Sequence, residues 1–482
     1  MLDVSAEDIT EGPLLRALLL LAAPLLAQNA VRVVEQLADV FFLGRASGDA
    51  VAAASLGLPL VHVLFALAVF TPMVGTQVVV SQRVGGADTT GAARGLTAGV
   101  AVALALSLAV GVAGYVGARP LVDLLTTLRP RTGGGPVPEL AASYIRVYAL
   151  GLPLLAVGDT IEGAFLGWGD SRAPLAMNVL SVVTSVALDP VFIFGIDLGP
   201  VAVPALGVRG AALSAVVGAG LSLTLAVGLL LAGRHEGMLD APRATGAVLA
   251  TAREIVDVGG PNAAQQLAKQ TARVAVVVVV FAAGGAAALA AYFVGARVAA
   301  VAYIPALGLK QAAQSVVGQN LGAAAPARAR RATRLGAAVT GTGLAVVSLV
   351  QWVLADGIVA LLVPAAGAPT VELSVAYLGI LAVGYPAIGV AYLYEAGFNG
   401  ARRTRTSFVA TLCQFWVVRL PLAAGLAFGL GLGAVGVYWA VTLSNVVAAA
   451  GLAAYYRYET DGGMLDRAAA AAEEGPAGSD VA

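Results

Sequence analysis

Three ionisable residues, Arg32, Glu35 and Asp39, lie inside an otherwise apolar run from Leu14 to Gly44. Spacings of three and four put them on one face of a helix. About twenty apolar residues cross a bilayer, so the run is long enough to span it. An ionised side chain at that depth costs at least ~2.5–3.5 kcal/mol, which is why such groups face a protein interior or a watery cavity and pair there. Asp39 is the first candidate for handling an ion. The same half of the chain offers Asp159 and Glu162 in a later apolar run and Asp189 in the next, with Tyr144, Ser185 and Ser214 as hydroxyl partners. Buried carboxyls close together resist ionising together, so a pair drawn from this set can hold a proton near neutral pH. The competing reading is structural, with Arg32 or Arg146 tying Asp39 and Asp189 into internal salt bridges.

The second half differs in sign. Its two lysines, Lys269 and Lys310, are the only ones in the chain, and both fall inside apolar runs. Asn262, Gln266, Lys269 and Arg273 follow helical spacing and form a polar stripe, while Arg297 and Glu395 sit in later runs. Either a lysine pairs with Glu395 and ties helices together, or Lys269, Arg273, Lys310 and Glu395 form a gate or a charged site suited to anionic groups.

Composition fixes what must position these residues. With 59% hydrophobic residues, 12% charged residues and a mean hydropathy of +0.87, the chain reads as a polytopic, all-α integral membrane protein. Twelve apolar runs fall between glycine, proline and charge punctuation, at 14–43, 51–83, 91–118, 137–167, 172–195, 207–232, 251–282, 286–319, 332–363, 372–400, 405–429 and 433–457. The expected organisation is a cytoplasmic segment 1–13, a first lobe 14–232, a linker 233–250, a second lobe 251–457 and a disordered cytoplasmic tail 458–482. Most arginines fall in alternate loops and run ends, among them Arg16, Arg83, Arg94, Arg234, Arg243, Arg253 and Arg328; the other side holds Arg45, Arg119, Arg129, Arg131 and Arg209. By the positive-inside rule both termini are cytoplasmic and the protein sits in the cell membrane. The acidic amino terminus has no signal-peptide pattern. Zero net charge gives no reason to expect nucleic acid, the single Cys413 excludes an internal disulfide, and it is expected to be inert packing.

The halves repeat. Glu162, Phe165 and Gly167 align with Glu395, Phe398 and Gly400; Asp189-Pro190 aligns with Leu420-Pro421; and Ser81-Gln-Arg-Val-Gly85 aligns with Gly318-Gln-Asn-Leu-Gly322, all about 230 residues apart. Six helices per half make this a parallel repeat, a class of fold that binds substrate between its halves.

On these residues the chain resembles the multidrug and toxic compound extrusion (MATE) family, in its archaeal and DinF-like branch. The resemblance rests on Asp39-Val-Phe-Phe-Leu-Gly44, Gly75-Thr-Gln through Gly85, Gly151-Leu-Pro153, Gly167-Trp-Gly-Asp-Ser-Arg-Ala-Pro174, Leu188-Asp-Pro-Val-Phe-Ile-Phe-Gly195, Pro305-Ala-Leu-Gly-Leu309 and Gln311 to Gly322, and covers about residues 12–458. It implies twelve transmembrane helices in two pseudo-symmetric six-helix lobes forming a V. It also implies an antiporter exporting small cationic or amphipathic compounds while protons or sodium ions flow inward, with no other cofactor expected; because each chain contains both lobes, a monomer is expected to suffice. By motif position the coupling aspartates are Asp39 and Asp189, which are also the candidate sodium ligands, and Pro24 is a hinge in the first helix, where a proline removes a backbone hydrogen bond. Ser185 stands where this family carries an asparagine, a departure that favours a proton. The cations of the second half depart from the family pattern too, and keep a lipid-linked oligosaccharide or other anionic-substrate flippase as the alternative. A membrane-embedded enzyme is disfavoured because no metalloprotease or phosphate-loop motif is present and His62 and His235 are isolated in sequence.

Overall fold

A computed structural model describes residues 6–128, 136–197, 202–240, 245–363 and 367–474. Three arginines assigned to loops, Arg129, Arg131 and Arg243, lie outside those ranges. The described residues are almost entirely helical. A short α1 (Ala6–Thr10) precedes α2 (Leu14–Ala46), then α3 (Gly48–Ala68), α4 (Phe70–Gly85), α5 (Thr89–Leu128), α6 (Val137–Trp168) and α7 (Arg172–Phe194). A two-residue antiparallel pair, β1 (Ile196–Asp197) with β2 (Ala202–Val203), leads into α8 (Val208–Leu231). The rest comprises α9 (Thr245–Ala302), α10 (Ile304–Gly322), α11 (Pro326–Leu362), α12 (Ala368–Gly400), α13 (Thr404–Leu412), α14 (Leu420–Ala424), α15 (Gly433–Asp461) and α16 (Met464–Glu474), with π-helical stretches at Cys413–Arg419 and Gly425–Gly429.

Among the described residues, eleven helices are long and apolar enough to cross a membrane, or twelve if the pair Ala287–Ala302 and Ile304–Gly322, bent by 46°, counts as one span. The expected gap between the seventh and eighth runs shrinks to one residue. Gly285, at φ 65°, carries the break inside α9 that a residue with a side chain would resist. Apolar side chains such as Leu231 and Leu361 point outward, as lipid-facing residues must.

The described residues form two compact units, one of residues 6–26 with 264–474 and the other of described residues within 27–263. The lobes expected from sequence change at a loop, whereas these units change inside α2 and inside α9, in each case just after a proline, Pro24 and Pro261. Close backbone approach explains the first turns of α9. A Cβ on Gly259 would lie 1.9 Å from the Thr71 carbonyl oxygen, and one on Gly75 2.3 Å from that of Ile255. Glycine lets α9 and α4 touch backbone to backbone, the usual way helices associate in lipid, and Val258 and Ile255 fill the flanks against Val78 and Val79.

The other unit takes in the first half of α2 by the same device, with Gly308 of α10 against Leu26. The amino-terminal segment is tied there as well: Arg328 donates to the carbonyls of Ile9 (3.0 Å) and Gly12 (2.7 Å).

The carboxyl-terminal segment corrects one expectation. Over 458–474, where a disordered tail was expected, α15 runs to Asp461 and α16 buries Met464 and Leu465; the rest of that segment, 475–482, lies outside the described residues. Its alanines are the strongest helix formers, and two apolar anchors at its start dock it. Cys413 also differs from expectation, being exposed rather than packed.

Candidate functional site

The unit of residues 27–263 is the acidic one. Glu162, on α6, is buried and accepts hydrogen bonds from Gln28 Nε2 (2.6 Å) and Asn178 Nδ2 (3.0 Å). Arg32 stands 3.7 Å from the same carboxylate and donates from Nε to Asn178 Oδ1 (2.8 Å). Asp159, one helical turn back, faces Glu162 and Arg32. Three helices, α2, α6 and α7, thus meet on one carboxylate.

Asp39 and Asp189 form a second group, nearer the ends of α2 and α7. Their side chains face each other, with Glu35 and Ser214 beside Asp189. Asp189 is fully buried, yet among the described residues neither of its oxygens has an aligned donor, and the equally buried Ser185 Oγ also finds no partner. Ser214 spends its hydroxyl hydrogen on the Gly210 carbonyl (3.0 Å). Tyr144 packs edge-on to Tyr148 (5.1 Å) beside Asp39. The structural alternative left open by sequence is decided against this pair: Arg32 goes to Glu162 and Asn178, and Arg146 goes to Glu139 (3.3 Å). A buried carboxyl without a donor normally demands an explanation, and a bound proton or ion is one. Among the described residues no three His, Cys, Asp or Glu side chains gather as they would around a metal ion.

The other unit repeats the first arrangement with different partners. Glu395, on α12, is buried and bonded by Lys310 Nζ (2.5 Å), which also lies 5.0 Å from the Tyr392 ring centre. Lys269 faces the same carboxylate. Gln265 reaches Glu395 and also donates to Thr411 Oγ1 (2.7 Å). Arg273, one turn beyond Lys269, is exposed and bonded to Gln270 (3.3 Å). Arg297 and Gln266 have no contact with this cluster among the described residues.

Sequence reading missed Gln28, Asn178, Gln265 and Arg419. The first and third were detectable, because Pro24, Gln28 and Arg32 recur with identical spacing as Pro261, Gln265 and Lys269. The shared proline-glutamine-cation register places a glutamine and a cation beside the repeat-related glutamate in each unit. Arg419 was detectable too, as an arginine inside the apolar run 405–429, whereas Asn178 carries no such signature and only packing brings it in.

One polar cluster lies outside the spans. Asp170 caps α7 through the N–H groups of Arg172 (2.9 Å) and Ala173 (3.1 Å), and also binds Arg234 (2.5 Å) and His235 (3.1 Å). His235, isolated in sequence, is therefore partnered. Burial opposes the charge on Asp170, but hydrogen bonds from His235, Arg234 and Ala173 outweigh it and hold the carboxyl well below the usual carboxylate range.

Comparison with known proteins decides what this scaffold is. The MatE family model matches residues 24–191 and again residues 261–424. The chain belongs to the MATE family. Both matches open on the prolines just described, so the family unit is itself the repeat. A protein of Bacillus subtilis (strain 168), named probable multidrug resistance protein YpnP, is 27% identical over 463 residues, covering 94% of this chain and 97% of its own. A protein of Shewanella oneidensis named FAD transporter is 25% identical over 456 residues, covering 93% and 95%. The fold matches a solved outward-facing multidrug resistance MATE family transporter of the MOP superfamily, with a TM-score of 0.84 at 22% identity over 95% of this chain and 98% of that one. This MATE protein is a multi-pass membrane transporter of small molecules.

Proposed function

We propose that this protein is a secondary antiporter that exports amphipathic organic compounds across the cell membrane, with both termini in the cytoplasm, in exchange for protons bound at Asp39 and Asp189. The observation that carries the reading is the facing pair itself: two carboxyls, one fully buried, with no arginine assigned to either and no aligned donor on Asp189. Two carboxyls in contact share a proton more readily than they both ionise. Glu35, Asp159 and Glu162 extend the acidic set toward Arg32. Pro24, just before α2 passes from one compact unit to the other, is where the missing backbone hydrogen bond would let the helix bend as the proton moves. Drug export is supported by the multidrug relative, and Pro24, Asp39 and Asp189 fit the archaeal and DinF-like branch. An anionic substrate is the second reading, favoured by the cations around Glu395.

The test is efflux of an organic substrate from proteoliposomes under an imposed pH gradient or an imposed sodium gradient, for wild type and Asp39→Asn. Efflux on the pH gradient alone, lost in the variant, is the expected result. A requirement for sodium would replace the proton with a cation at Asp39 and Asp189. Efflux unaffected by Asp39→Asn would end the coupling assignment.

A further inference from the structure

Arg419 is buried in the membrane-spanning part of the chain, and among the described residues no carboxylate meets it. It closes the π-helical stretch Cys413–Arg419 with 8% of its surface exposed, within the candidate span Thr404–Gly429. Its Nε donates to Ser444 Oγ (2.8 Å), its Nη2 to Asn445 Oδ1 (2.5 Å), and its guanidinium stacks 4.1 Å from the Phe415 ring centre. These are neutral partners. A second cation, Arg273, and the hydroxyls of Tyr292, Tyr303 and Tyr377 are near enough to act on its charge. Lys269 joins the same field, facing Arg273, Arg419, Lys310 and Glu395. Two lysines therefore face the Glu395 carboxylate, which Lys310 bonds at 2.5 Å, while Arg273 and Arg419 stand in the field of Lys269 with no carboxylate paired to either among the described residues.

Such an arrangement is expensive in lipid. Intramembrane cations normally pair with acids or face a watery cavity through which something passes. Here the surplus stays positive inside a single compact unit. π-helical stretches are uncommon and concentrate at functional sites. The walls are aromatic: Tyr292 stacks on Tyr377 (5.6 Å, 17° between planes), Tyr377 on Tyr438 (4.2 Å), and Tyr303 packs edge-on to Tyr385 (5.2 Å). Tyr377, Tyr385 and Tyr438 are buried, while Tyr292 and Tyr303 keep part of their surface open. A guanidinium forks naturally onto a phosphate, sulfonate or carboxylate, and an open ring face receives a flat aromatic system.

We infer that the unit holding residues 264–474 contains a binding site for an aromatic organic anion. Arg419, Lys269 and Arg273 receive the anionic group, and Tyr292 and Tyr303 receive the ring. The site would hold the exported substrate, so its role in transport rests on the antiporter reading, whereas its binding chemistry does not.

The test is equilibrium binding of 1-naphthyl phosphate to purified full-length protein in nanodiscs at neutral pH, with no ion gradient. It therefore reads the site independently of whether Asp39 and Asp189 couple transport. The expected result is saturable binding that inorganic phosphate at the same concentration does not displace and that 1-naphthylmethylammonium does not displace. Arg419→Gln should weaken it at least tenfold, with partial rescue by Arg419→Lys. Because Arg419→Gln could also disturb folding, the half-buried Lys269 and exposed Arg273 supply Lys269→Gln and Arg273→Gln, each expected to weaken binding severalfold with an unchanged melting temperature. Wild-type affinity in both of these folded variants, or displacement by the naphthyl cation, would overturn the anion site. Equal displacement by inorganic phosphate would overturn the aromatic half of the assignment.

Discussion

Removing the Glu162 carboxylate tests whether one side chain joins α2, α6 and α7. In Glu162→Ala, Gln28 Nε2 loses its 2.6 Å acceptor and Asn178 Nδ2 its 3.0 Å one, though Asn178 retains a 3.4 Å bond to the Pro174 carbonyl. A hydrogen bond to a charged acceptor is worth ~1.5–3 kcal/mol. The ion pair adds little, because Arg32 is 41% exposed and stands 3.7 Å away, so screening limits it to at most ~1 kcal/mol. The expected loss is ~3–5 kcal/mol for Glu162→Ala. Glu162→Gln keeps one acceptor oxygen and turns an NH2 toward a donor, so it should lose about half as much, ~1–3 kcal/mol. The assay is equilibrium unfolding in mixed micelles titrated with a denaturing detergent, for both variants and for Gln28→Ala alone and combined with Glu162→Ala. The combined variant should reveal a coupling above ~1 kcal/mol, as contacting residues do. If Glu162→Ala stays within ~0.5 kcal/mol of wild type, the level expected of surface substitutions, or if the double variant is additive, the three-helix junction does not depend on this carboxylate.

Two more predictions concern the packing around this junction. Asp170 is held below the usual carboxylate range in the folded protein, so its contribution is present above the unfolded value of about 3.9 and fades as the pH falls below it. The stability gap between wild type and Asp170→Asn, which preserves the α7 cap, should be ~1.5–3 kcal/mol near pH 6, hold level down to about pH 4 and shrink as the pH falls further in thermal melts; a gap that grows on acidification contradicts the assignment. Gly259→Ala, whose Cβ would meet the Thr71 carbonyl at 1.9 Å, should cost ~1–3 kcal/mol by forcing α9 from α4, whereas Gly260→Ala, with nothing within 4 Å, should be neutral or stabilising. Equal melting temperatures for the two variants would show that the close approach is not maintained.

Membrane class, helix count and the acidic set were legible in the sequence for one physical reason. Lipid imposes a length and an apolar composition on every span, so an ionisable residue inside one stands out without any knowledge of its neighbours. Gly285 marks the limit of that signal, because a single left-handed residue divides two spans where the apolar pattern expected a gap.

Partner choice was not legible. Asp39 and Asp189 are far apart in sequence, and either could have met Arg32 or Arg146; packing sent Arg32 to Glu162 and Arg146 to Glu139 and left the two aspartates facing each other. Arg419 stands out in the sequence as an arginine inside the run 405–429, but only the fold shows that α15 brings it the neutral Ser444 and Asn445 and that Tyr292, Tyr303 and Tyr377 lie near its charge. Sequence alone determined that charge lies inside the membrane, acidic in one half and basic in the other, because composition and spacing set depth and helical face. Which charges neutralise one another and which are left for a proton or a substrate was decided by tertiary structure alone, because pairing depends on distances between helices that no local pattern encodes.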